Sequence, residues 1–241
     1  LYRKCDALVA PSESFAQVLR QQRMNYDIDI WSRGVDRDIF DPSQRDMEWR
    51  RGLAIADDIP VIGFLGRLVM EKGLDVFSDA IDQLRRRKVP HQVMVIGDGP
   101  ARPWFETRIP DAKFVGFQVG SDLGRAVASM DMFFNPSVTE AFGNVTLESM
   151  ASGLPVVAAK ATGSQSLVED KVSGRLITPG AINQFTDALQ AYCVDEDLRT
   201  KHGAAGEQRS LDYSWDAINQ TMADTYLRLI RQNAARAVAS R

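Results

Sequence analysis

The feature that most limits what this chain can fold into is an alternation. Short apolar runs rich in valine, isoleucine and phenylalanine recur along it, each closed by a glycine or proline turn and followed by a helix-period stretch. Strand signals fall at 7–10, 28–31, 61–65, 92–96, 113–115, 132–135, 155–158 and 174–177. Most lack polar alternation, as strands covered on both faces do. Helix signals fall at 13–22, 73–87, 121–130, 145–152, 164–169 and 182–193, with another at 203–211 and a long last one from Trp215 towards Ala237, capped by Ser214. Leu74, Phe77, Ile81 and Leu84 recur at threes and fours, which predicts one buried stripe on the second helix. The alternation as a whole predicts an α/β fold on a doubly wound, parallel, Rossmann-like sheet.

Between Asp41 and Asp58, Pro42, many charges and few strand formers read as a linker or an exposed crossing. That division gives 1–40 as the end of an N-terminal lobe, 41–58 as linker, 59–213 as the Rossmann-like domain and 214–241 as a C-terminal helix crossing back towards the first lobe. The chain opens on Leu1-Tyr2-Arg3-Lys4 with no methionine and runs at once into a strand signal, the pattern expected of a fragment.

With 241 residues, 44% of them hydrophobic, there is apolar material for one large core. A net charge of -3 lacks the basic footprint that gathers nucleic-acid phosphates, so no nucleic-acid partner is expected. Cys5 and Cys193 lie too far apart in sequence to suggest a disulfide framework or a zinc cluster, and a reducing, cytoplasmic compartment fits best. No run approaches the roughly 20 apolar residues of a membrane-spanning helix. Membrane contact, at the inner face, is expected to be peripheral at most.

Three constellations could carry chemistry. Gly66-Arg67-Leu-Val-Met-Glu-Lys72-Gly73 follows one strand signal and precedes a helix, at the carboxyl edge where open α/β sheets bind ligands. There Gly66 permits close approach, and Arg67 and Lys72 can converge on one anion: a planar fork and a point charge suit a diphosphate. Ile96-Gly97-Asp98-Gly99-Pro100 follows the next strand, its glycines allowing a tight turn that keeps the cleft wall low. The third runs from Asn135 to Ala158: a strand end, a loop holding Glu140, and a helix starting near Gly143-Asn144 whose free amides and dipole make an anion site without a metal. Glu148 lies about one turn in, roughly 6 Å along the axis. Each carboxylate can accept two hydroxyl donors, so two glutamates flanking an anion site suit two sugar rings flanking a diphosphate.

The Glu140-x7-Glu148 spacing, the Glu-Ala-Phe-Gly that opens it and the Gly-Leu-Pro-Val-Val-Ala after it resemble the retaining GT-B glycosyltransferases of family 4, the glycosyl transferases group 1. The same resemblance takes in residues 66–73, 97–100 and Arg33-Gly34-Val35-Asp36. It implies the donor-binding half of an enzyme that moves a hexose from a nucleoside-diphosphate sugar, of GDP-mannose or UDP-glucose type, to an acceptor hydroxyl. By that resemblance Arg67 and Lys72 bind the diphosphate, Glu140 holds hexose hydroxyls and Glu148 the ribose diol. Phe142, Gly143, Asn144 and Val145 touch sugar and phosphate through their backbone, and Phe117, Gln118 and Leu123 face the base. No cofactor and no metal are implied; the nucleotide sugar is substrate. The acceptor, a sugar, lipid or polysaccharide, belongs to the amino-terminal lobe, so this stretch alone is expected to be inactive. Arg33 stands where asparagine is frequent in the family, and Ala141 where glycine is. The other readings are a module that binds a nucleotide sugar without transferring it, and a GT-B phosphorylase or synthase.

Several weaker signals have plainer explanations. Asp27-Ile-Asp29 matches a cation-holding pattern but alternates within a strand signal. Arg85-Arg86-Arg87-Lys88 reads as a solvated helix end, and His91 and His202 as structural or exposed.

Overall fold

The computed structural model describes residues 5–239; the fragment signal at residues 1–4 lies outside them. The chain runs β1 (Leu8–Ala10), α1 (Glu13–Gln21), β2 (Ile28–Ile30), α2 (Met47–Gly52), β3 (Val61–Leu65), α3 (Leu74–Arg86), β4 (Gln92–Ile96), α4 (Arg102–Arg108), β5 (Lys113–Gly116), α5 (Gly120–Ala128), β6 (Met132–Asn135), α6 (Asn144–Ala151), β7 (Val156–Ala159), α7 (Thr162–Leu167), β8 (Gly174–Ile177), α8 (Ile182–Val194), α9 (Glu196–Ser210) and α10 (Trp215–Ala239). β1 and β2 form a small parallel pair, and the other six strands form one parallel sheet ordered β5-β4-β3-β6-β7-β8.

Successive residues of β3 explain why the strands read as unbroken apolar runs. Val61 belongs to the core on one face with Met94, Met130, Phe133 and Leu147, while Ile62 belongs to the core on the other with Leu74, Phe77, Phe134 and Phe185. Both faces are covered, so neither side of the strand can be polar. The stripe Leu74, Phe77, Ile81 and Leu84 is fully buried, each side chain contributing about 1.5–3 kcal/mol. Asp75 in the first turn of α3 and Arg85 and Arg86 in its last complement the helix dipole.

Two helices and half of a third went unseen in the sequence. α4 buries a single side chain, Phe105, and α9 buries His202, Gly203, Gly206 and Ser210, so neither displays an apolar stripe. The second helix wholly unseen, α2, lies inside the stretch read as a linker or exposed crossing, and its Arg50 is among the most buried side chains of the protein. Arg50 donates to Asp131 Oδ2 at 2.8 Å and to the Ile59 carbonyl, while Arg45 donates to Asp131 Oδ1 at 2.7 Å. Asp131 Oδ2 also accepts from the Val61 amide at 2.7 Å. The 41–58 stretch is thus bolted to the amino edge of the sheet between β3 and β6.

α10 returns to β2, where Arg228 pairs with both Asp27 and Asp29 and Thr225 donates to Asp29 at 3.2 Å. The Asp27-x-Asp29 pattern is therefore occupied by an arginine. In the basic cluster, Arg85 pairs with Asp82 and Asp111, and Arg87 pairs with Asp187. No helix among the described residues is long and apolar enough to cross a membrane.

Candidate active site

In the six-stranded sheet the order reverses between β3 and β6: the chain leaves β3 towards β4 on one side and β6 towards β7 on the other. The loops after these two strands splay apart at their carboxyl ends and leave a crevice, the topological position where α/β sheets hold ligands. A cavity of about 520 Å³ opens there. Leu65, Gly66, Arg67 and Lys72 line it from the β3 loop; Glu140, Ala141, Phe142, Gly143, Asn144 and Val145 from the β6 loop and the start of α6; Pro11 and Arg33 from the segment before α2. Its size suits a small-molecule site.

Both loops are held in place by their own bonds. Asn135, the last residue of β6, donates to Thr146 Oγ1 at 3.1 Å and accepts from the Ser137 amide at 3.2 Å, fixing the first turn of α6 to the strand end. The backbone carbonyl of Glu140 accepts from Gly163 at 2.9 Å, and Ser12 donates to the Ala141 carbonyl at 3.2 Å. Gly143 turns the chain into α6 at φ 96°, a left-handed conformation that favours glycine, and no side chain caps the helix. Asn144 and Val145, the first two residues of the helix, line the cavity, and their first-turn amides have no side-chain cap.

The cavity's charges are arranged unevenly. Lys72 Nζ lies 2.5 Å from Glu140 Oε1, a bridge between the two loops that is reinforced where Thr139 donates to the Glu71 carbonyl at 3.4 Å. Arg67 and Arg33 make no ion pair and no hydrogen bond among the described residues, and Arg33 lies 4.9 Å from the centre of the Trp31 ring. The cavity therefore presents one neutral pair, two unpaired guanidinium groups and an uncapped helix start.

Of the residues singled out in the sequence, the structure gathers Gly66, Arg67, Lys72, Glu140, Phe142, Gly143, Asn144 and Val145 on one cavity. Glu148 lies outside its lining, on the second turn of α6. It is half-buried, and its carboxyl makes no ion pair or hydrogen bond among the described residues; burial alone pushes its pKa up to about 7. Gly97 and Gly99 do not line the cavity either. A Cβ at Gly97 would sit 2.0 Å from the Gly66 carbonyl oxygen, and one at Gly99 2.5 Å from that of Leu68. Both glycines let the β4 loop pack directly against the β3 loop. Phe117 is 76% exposed, Gln118 donates to the Val115 carbonyl at 2.7 Å, and Leu123 packs on the core, all beyond the cavity lining.

The remaining reactive side chains are placed structurally. His202 is buried with Nδ1 2.7 Å from the Tyr192 hydroxyl, and His91 Nδ1 lies 2.7 Å from the Val89 carbonyl; burial lowers the pKa of both. Burial pushes the Cys193 thiol up to about 12. Among the described residues no group of three His, Cys, Asp or Glu side chains could hold a metal ion. Pro11, Arg33, Leu65 and Ala141 are the cavity residues to which sequence reasoning gave no binding role. Arg33 had a visible signal, its departure from the family's usual asparagine.

Residues 59–195 match the family model described as glycosyl transferases group 1. The chain is 28% identical over 95% of its length to a GDP-mannose-dependent alpha-mannosyltransferase of Corynebacterium glutamicum, covering 54% of that protein. It is 32% identical over 98% of its length to one of Mycolicibacterium smegmatis, covering 61% of that protein. Anabaena HepE, solved in complex with UDP and glucose, superposes with a TM-score of 0.80 at 26% identity, over 94% of this chain and 64% of that one. The chain thus spans little more than half the length of the curated relatives it matches.

Proposed function

This chain belongs to the glycosyl transferases group 1 family, and from that membership we propose that it is the donor-binding half of a retaining hexosyltransferase. The donor is a nucleoside-diphosphate sugar of the GDP-mannose or UDP-glucose type, and the acceptor hydroxyl is carried by a sugar, lipid or polysaccharide bound by a lobe outside this stretch. One observation carries the reading: the cavity at the sheet's switch point collects two arginines, a Lys72–Glu140 pair and the uncapped start of α6. The relatives named as GDP-mannose-dependent transferases, and the similar fold solved with UDP and glucose, support the same donor class.

In the proposed reaction the bond from the anomeric carbon to the diphosphate oxygen breaks, its electron pair leaving with the diphosphate. The acceptor oxygen bonds to the same face of that carbon, and its proton passes to the departing phosphate. Charge grows on the diphosphate as the bond lengthens. Arg67, Lys72 and the α6 amides meet that growing charge better than they meet the ground state, which is the requirement for catalysis. Glu140, beside Lys72, takes hexose hydroxyls. Glu148, a turn further along α6 with no internal partner among the described residues, takes the ribose diol, and Phe117, Gln118 and Leu123 face the base.

In the full-length enzyme Arg67→Ala should lower turnover by about a hundredfold, the scale of losing one preorganised electrostatic donor. A near-wild-type rate would remove Arg67 from the mechanism. Calorimetry separates the two glutamates: Glu148→Ala should weaken even the free nucleoside diphosphate, whereas Glu140→Ala should chiefly weaken the nucleotide sugar. Equal losses for both ligands in both variants would contradict these roles. Transfer should continue undiminished in excess chelator, and metal-dependent transfer would refute a donor site built of cations and amides alone.

A further inference from the structure

Resting on that donor-site reading, we propose that Arg33 is a third binding cation for the donor's diphosphate, closing on it from the wall opposite the sheet. Every other charged residue of the cavity belongs to the loops after β3 and β6; Arg33 comes from the segment before α2. The charge count calls for it. Lys72 is neutralised by Glu140 at 2.5 Å, so Arg67 alone gives the cavity one unpaired positive charge. The diphosphate of a nucleotide sugar brings about two negative charges at neutral pH, and the departing nucleoside diphosphate gains more. Arg33 supplies the second unpaired cation.

Its setting is that of a placed group. Arg33 is half-buried, and it makes no ion pair or hydrogen bond among the described residues that would divert its five donors from the cavity. Its guanidinium lies 4.9 Å from the centre of the Trp31 ring, two residues back on the same segment, where cation–π attraction restrains an otherwise mobile side chain. A guanidinium already restrained loses less freedom when it clamps two phosphate oxygens, and its planar fork matches them in a way an ammonium does not.

Titration of the full chain with GDP, UDP, GMP and UMP tests this. Arg33→Gln should weaken the diphosphates about tenfold, the scale of one charge-assisted hydrogen-bonding group, while changing the monophosphates far less. The preference for diphosphate over monophosphate should therefore narrow. Arg33→Lys, which keeps the charge without the fork, should fall between the two and serves equally if the glutamine variant folds poorly. Wild-type diphosphate affinity in Arg33→Gln or in Arg33→Lys, or equal losses for diphosphate and monophosphate, would overturn the assignment. So would a defect confined to the acceptor KM of the full-length enzyme, which would move Arg33 to an acceptor's anionic group. Arg67→Gln, measured alongside, keeps the two ideas apart. A normal Arg33→Gln beside a crippled Arg67→Gln sinks only Arg33; a wild-type protein that binds none of the four nucleotides sinks the donor site as well.

Discussion

Lys72 and Glu140 neutralise one another in the cavity, and a ligand that needs either must compete with the other. Removing Glu140's charge should therefore free Lys72 for phosphate. Glu140→Gln is expected to bind a nucleoside diphosphate two- to tenfold more tightly while binding the nucleotide sugar more weakly, and Lys72→Ala with Glu140→Gln should be strongly non-additive in a double-mutant cycle. Additive effects would show that the pair does not persist in solution. Glu148 makes a second prediction. Its pKa in the folded chain is raised from 4.5 to about 7 by burial, so between those values the folded protein holds a proton that the unfolded chain has lost. The stability this group contributes is complete below about pH 4.5, falls as pH rises and is gone above about 7. Glu148→Gln should accordingly gain on the wild type by about 1–3 kcal/mol between pH 5 and pH 8, read from urea midpoints. Parallel pH profiles would mean that another group titrates. At this scale the sequence revealed which residues share the cavity wherever local motif and loop coincide, as for Arg67, Lys72, Glu140 and 142–145. It did not reveal that Lys72 is already paired, since residues 68 positions apart meet only through the fold.

Elements with an apolar stripe or an unbroken apolar run were legible; those held by polar bonds were not. β3, β4, β6 and β8 have the bounds read from the sequence because both faces of each are covered, whereas α2 is fixed chiefly by an arginine. Arg50, 1% exposed, and Asp131, 11% exposed, pin α2 to the amino ends of β3 and β6. Breaking a buried pair leaves the surviving charge unpaired at a cost of about 3–5 kcal/mol, so Asp131→Ala should lower the unfolding free energy by that amount. A loss below about 1 kcal/mol would show that the pair is solvated. At the opposite edge of the sheet, Gly143→Ala forces a side chain into φ 96° at the N-cap of α6, a strain of about 1–2 kcal/mol. Relief by shifting the helix start would move the amides that line the cavity, so phosphate binding should suffer more than the melting temperature does.

Across the whole molecule, two distant stretches of chain run side by side. The Val35 amide donates to the Tyr213 carbonyl at 3.0 Å, and Gly34 lies so close to the indole of Trp215 that a Cβ there would come within 2.6 Å of the ring. Beyond this contact, α10 is tied to β2 through Arg228. Gly34→Ala must push Trp215 aside and should loosen α10, seen as faster amide exchange along 215–230, while exchange in β3 and β6 stays slow. Unchanged exchange would mean that the indole moves without consequence. The β1–β2 side is fastened to the six-stranded sheet domain here and also where Ser12 donates to the Ala141 carbonyl at 3.2 Å and Ser14 meets the Ser166 hydroxyl at 2.8 Å. Any shift of Arg33 relative to Arg67 would strain the neighbouring Val35–Tyr213 and Gly34–Trp215 contacts, so a reporter fixed to the start of α10 should register a change in the cavity's width without touching the ligand.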